Sequence, residues 1–135
     1  MSGIELTQNE IHQTTAITDL GLVLVAAFGV FYLLNFVKIV CWKRYVWIHF
    51  FLLTFITSLT ASIYHGLVLS PVIQTGIWYG VLLLFGLLIS AFVLAVIADL
   101  MGEAVSRRAI PAVFSIYLVT LAISLFVSDK FLVFS

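Results

Sequence analysis

His65 is the side chain in this sequence whose type and setting most invite chemistry, because it sits near the end of a long apolar run. On a helix it shares a face with Thr54, Ser58, Ala61 and Ser62. A polar group inside a hydrocarbon-like segment is costly unless it turns toward other protein groups. Two readings are open. An imidazole there can bind a metal or carry a proton, or it can be an interfacial residue hydrogen-bonded to a neighbour such as Asp19. A zinc site normally takes three or four protein ligands, and the apolar runs place no second histidine beside this one, which favours the hydrogen-bonded reading. The polar or metal candidates are therefore His65, Asp19 and Ser62.

The remaining candidates say less. His49 lies about one turn into the same run at its opposite end, within headgroup reach, and His12 falls in a polar stretch; neither receives a role. Asp99 could pair with Arg107 or Arg108 or meet water beside Gly102. Asn35 suits an interhelical hydrogen bond. There is no Gly-rich phosphate loop, nucleophile elbow or CxxC. The single cysteine, Cys41, cannot form an intrachain disulfide. No catalytic residue and no cofactor is assigned.

The elements that must position these groups follow from composition. Of the 135 residues, 64% are hydrophobic and 9% charged, and the mean hydropathy is +1.26. Soluble domains carry about 25% charged residues. Zero net charge without a basic block leaves no electrostatic footprint for nucleic acid. Residues 1–16 lack the positive stretch that opens a signal peptide, so the first apolar run is expected to remain in the membrane.

Four runs can each cross about 30 Å of hydrocarbon at 1.5 Å per residue: 18–41, 46–69, 73–99 and 109–127. The expectation is an all-α integral membrane protein, a bundle of four transmembrane helices behind a polar tail over 1–17. Thr18-Asp19 would cap the first helix and the Trp42–Tyr45 turn would end it. Ser70-Pro71 separates the second from the third. Gly102 suits the C-terminal cap of the third, and Pro111 the first turn of the fourth. Ser128-Asp129-Lys130 reads as a polar turn, and residues 131–135 as either an interfacial tail or the start of a fifth helix.

Lys38, Lys43 and Arg44 flank the first loop, and Arg107 and Arg108 the third. By the positive-inside rule these loops face the cytoplasm and the N-terminus lies on the other side, most simply of a plasma (inner) membrane. Trp42, Tyr45 and Trp47 would form an inner aromatic belt, with Tyr64, Trp78 and Tyr79 near the outer one. Small residues let helix backbones approach in lipid. Ser58, Ser62 and Gly66 recur every four residues, as do Gly76 with Gly80 and Gly86 with Ser90. These faces are expected to pack helices, within the chain or between copies.

Thr18-Asp19-Leu20, Ser62-Ile63-Tyr64-His65-Gly66 and Trp78 together resemble the N-terminal helices of certain seven-helix bacterial membrane proteins, which are similar to the ceramidase/adiponectin-receptor group of membrane hydrolases. That resemblance implies a zinc site with one histidine from the second helix and two from the seventh, supported by a serine four residues before the first histidine and an aspartate on the third helix. In this sequence only His65 matches a ligand. Ala61 stands four residues before it, with Ser62 three before, and Asp99 falls at the far end of the third helix. The sequence contains no seventh helix. Three functions follow as expectations. The first is a non-catalytic packing or accessory subunit in a homo- or hetero-oligomer, with lipid and other membrane subunits as partners. The second is a fragment or half-sized relative of a zinc-dependent membrane hydrolase. The third is a small oligomeric transporter or channel.

Overall fold

The structure, a computed structural model, describes residue 6 and residues 8–133, with side chains as far as 127. Four helices follow in order: α1 (Glu10–Asn35), α2 (Trp42–Gly66), α3 (Pro71–Met101) and α4 (Glu103–Val133). Each is long and apolar enough to cross a membrane. They pack antiparallel in chain order, α1 on α2, α2 on α3 and α3 on α4. One end of the array carries the His12 and His65 side chains, and the other carries most of the basic residues.

The helix bounds depart from the sequence expectation for identifiable reasons. α1 starts at Glu10, not at Thr18. Asn9 is its N-cap, accepting a hydrogen bond from the Ile11 N–H at 3.0 Å, and Glu10 complements the positive helix end. Thr14, Thr15 and Thr18 donate to the carbonyls four residues earlier at 2.8–2.9 Å, so their hydroxyls are satisfied within the helix. α1 ends at Asn35 because side chains take its last carbonyls. Asn35 Nδ2 donates to the Phe31 carbonyl at 2.8 Å, and is therefore not the interhelical link the sequence suggested. Arg44, from α2, donates to the carbonyls of Leu33 and Leu34 at 3.0 and 3.3 Å. Residues 36–41 then form the connection, and Trp42, expected in a turn, opens α2.

Pro71 occupies the first turn of α3, where its missing N–H costs little. Gly102, at φ 93°, ends that helix in a conformation favourable only for glycine. α4 begins immediately afterwards at Glu103, so Pro111 lies inside the helix instead of in its first turn. Residues 103–109 contain neither glycine nor proline, and nothing in their backbone opposes helix. For the same reason 128–133 prolong α4, and the expected polar turn at Ser128-Asp129-Lys130 does not form. Residues 134–135, the end of the expected fifth-helix start, lie outside the described residues, as do 1–5 and 7 of the expected tail.

The interior is made of small residues. Among the described residues the buried positions are Ala16, Ala26, Thr57, Ser58, Ser62, Ser90, Ala91, Ala95, Ala98 and Ser106, with only Val46 and Leu94 larger. Large apolar side chains point outward: Leu24 is 73% exposed and Phe28 and Ile116 are each 67% exposed. This inverts the usual soluble pattern and matches close backbone approach in lipid.

Candidate functional site

α1 and α2 build the site at the histidine end. Spacing of four and three residues puts His12, Ala16 and Asp19 on one face of α1, and α2 presents Ser62, His65 and Gly66 to that face. The backbones approach closely there. Ser62 Oγ donates to the Ala16 carbonyl at 3.1 Å, and a Cβ added to Gly66 would stand 3.4 Å from the Ala16 Cβ. Ser62 thus ties helix to helix, its proton already committed. An isolated antiparallel bridge from Leu6 to Leu67 holds the chain ahead of α1 against the exit of α2.

This packing brings His12 onto His65. Their Nδ1 atoms lie 3.1 Å apart, and the rings stack with centroids 5.3 Å apart at 23°. A hydrogen bond at this distance requires one Nδ1 to carry a proton and the other to be bare. His65 stands in the last turn of α2, at the negative end of the helix dipole. Tyr64 meets its ring edge-on, with centroids 5.0 Å apart, and Trp78 of α3 lies 5.7 Å from the Tyr64 ring. Asp19 interacts electrostatically with His65, yet its Oδ2 is buried without a hydrogen-bond partner. An unpaired buried carboxylate oxygen is expensive, so the site holds unused acceptor capacity near His65.

His12 is the residue sequence reasoning missed. A signal existed in Asn9-Glu10, a helix start that places His12, Ala16 and Asp19 in register, but the polar surroundings disguised it as tail. The fit to zinc can be tested on this geometry. Two nitrogens about 2.0–2.1 Å from a tetrahedral zinc lie roughly 3.3–3.4 Å apart, close to the 3.1 Å observed. Among the described residues, however, no three His, Cys, Asp or Glu side chains converge as a metal site. The pair is at least one ligand short.

The basic end is built differently. Asp99 accepts Lys43 Nζ at 2.8 Å and lies 3.4 Å from Trp47 Nε1. Its partner is therefore Lys43 and not Arg107 or Arg108, because antiparallel packing sets the last turns of α3 beside the first turn of α2. Trp42 Nε1 donates to Ser106 Oγ at 2.9 Å, and Ser106, fully buried, donates to the Leu94 carbonyl at 2.8 Å. Arg107 covers the Trp42 ring, 5.0 Å from its centroid. Trp42 and Trp47, expected as an interfacial belt, aim their N–H groups across the helices.

The small-residue faces divide in two. A Cβ on Gly86 would enter the Tyr117 ring of α4, and one on Gly29 would stand 2.7 Å from Phe51. Ser58 and Ser90 are buried, with Ser90 donating to the Gly86 carbonyl at 2.9 Å. At Gly76 and Gly80 a Cβ would meet nothing within 4 Å. Residues 14–135 match the model of a family described as a family of unknown function, DUF6962. No curated protein and no solved structure matches the chain.

Proposed function

The chain belongs to the DUF6962 family, and we propose that it is a multi-pass membrane protein working as a non-catalytic packing or accessory subunit. The N-terminus lies on the non-cytoplasmic side and the basic end in the cytoplasm. The observation that carries this reading is the open Gly76–Gly80 face of α3. The chain fills its contacts at Gly29, Gly66 and Gly86, whereas Gly76 and Gly80, four residues apart on one face, stay open, as does the lone Gly21 of α1. A helix from another copy or another subunit can approach there without a side chain in the way.

Two experiments test it. Gly80→Ile should shift the detergent-solubilised protein to a smaller assembly while leaving its unfolding temperature nearly unchanged; an unaltered assembly size would mean that this face meets lipid. For orientation, single cysteines introduced into a Cys41→Ser background should be labelled from the cytoplasm at 107–108 and from outside at residues 8–9. The opposite labelling pattern would refute the topology.

The histidine pair favours a second reading, a relationship to the zinc-dependent membrane hydrolases. His12 and His65 supply two nitrogens and Asp19 a buried oxygen nearby. Under this reading the remaining ligands come from helices outside this sequence, and zinc bound there would polarise a carbonyl or activate water. Elemental analysis of tag-free protein separates the two readings: a packing subunit contains no stoichiometric zinc.

A further inference from the structure

We propose that the groove between α2 and α4, floored by α3 at the basic end, binds one acyl chain of an anionic phospholipid whose phosphate is held by Arg107. The inference rests on the membrane reading above. The groove has a volume of about 440 Å³ and opens along one side. Trp42, Val46 and Leu53 form one wall, Phe114 the other, and Leu87 and Ala91 the floor. Ser90 also lines it, but its hydroxyl is spent on the Gly86 carbonyl, so the floor asks for no water.

Shape suits the occupant. From Trp42 to Leu53 the groove runs about 16 Å along α2 at 1.5 Å per residue, a length along which a single extended hydrocarbon chain can lie. A groove this apolar, lying where lipid tails are the solvent, fills with a tail.

Charge selects the headgroup. At the basic end the groove is rimmed by Trp42 and Tyr45, with His49 further along the same wall. Five basic residues (Lys38, Lys43, Arg44, Arg107 and Arg108) share that end with two acidic ones, Asp99 and Glu103. Lys43 is taken by Asp99 and Arg44 by the α1 carbonyls. Arg107 is exposed, with its guanidinium stacked on the Trp42 ring that forms the groove mouth. Stacking leaves the edge donors of a guanidinium available, in a fork that matches phosphate oxygens. The first turn of α2 contains no acidic residue, and its cap, Cys41, makes no side-chain hydrogen bond, which adds to the positive potential at the mouth.

The test is native mass spectrometry of the full chain in detergent, delipidated and titrated with dioleoyl-phosphatidylglycerol or dioleoyl-phosphatidylcholine. One phosphatidylglycerol per chain should bind, at least tenfold more tightly than phosphatidylcholine. Arg107→Gln, an exposed change, should erase the tenfold preference while weak binding of both lipids persists. Leu87→Trp, which fills the groove from its floor, should abolish retention of both. Equal binding of the two lipids by the wild type would overturn the proposal, as would an undiminished preference in Arg107→Gln. A photoreactive side chain at Phe114 should crosslink to lipid, and crosslinking to protein instead would assign the groove to another chain. If Leu87→Trp fails to fold, Arg107→Gln alone decides. Release of the protein from membranes by alkaline carbonate would sink the membrane reading itself; retention without a lipid preference sinks only this inference.

Discussion

The two ends of the helix array handle polar groups in opposite ways. At the basic end they are paired across helices: Lys43 and Trp47 on Asp99, Trp42 on Ser106, Ser106 on the Leu94 carbonyl, and Arg44 on the carbonyls that close α1. All four helices are clasped there by directional contacts. At the histidine end Ser62 reaches the Ala16 carbonyl of α1, but two imidazoles share one contact, and a buried carboxylate oxygen has none. A region with satisfied polar groups holds shape, whereas one with an unpaired buried acceptor is held less firmly. On this contrast the basic end is the structural clasp and the histidine end the looser one.

The clasp should break most readily at Ser106. Ser106→Ala removes the acceptor of the Trp42 indole and the donor to the Leu94 carbonyl, and should cost about 2 kcal/mol, read as a lower unfolding temperature in detergent. A loss too small to measure would mean that water enters this end freely. Asp99→Asn should cost less, because the Lys43–Asp99 pair is partly exposed and exposed ion pairs contribute little. Its effect should shrink in high salt, and a salt-independent loss would point to the Trp47 contact instead.

At the other end His65→Gln keeps a hydrogen-bonding group and should cost on the order of 1 kcal/mol or less. Zinc content should be negligible before and after the change. One zinc per chain in the wild type, lost in the variant, would transfer the histidine pair to the hydrolase reading. The smallest effect should come from His12→Ala, which removes the contact to His65. Hydrogen exchange at the start of α1 should quicken in that variant, and an unchanged rate would mean that the pair does not hold this end of the helix.

Part of this was legible in the residues alone. Four apolar runs longer than a bilayer is thick imply four long apolar helices, because the length and hydrophobicity of a run are local properties. Pro71 and Gly102 marked boundaries for equally local reasons, one lacking an N–H and the other alone in tolerating positive φ. The small-residue faces were visible by spacing. Which of them the chain uses itself was not, since Gly86 meets Tyr117 while Gly80 meets nothing only after α4 has docked on α3.

Tertiary structure decided the rest. Asn9 and three threonines that bond back within their own helix carried α1 eight residues further into the polar stretch than hydropathy suggested, which brought His12 to His65. Arg44 closed α1 from the next helix, and antiparallel packing gave Asp99 to Lys43 instead of Arg107. The start of α1 is local, set by Asn9 and those threonines, but the partners of His12, Arg44 and Asp99 lie elsewhere in the chain. Composition shows how much apolar surface a segment must cover, but the partner of a lone polar group in a helix is set by whichever helix packs against it.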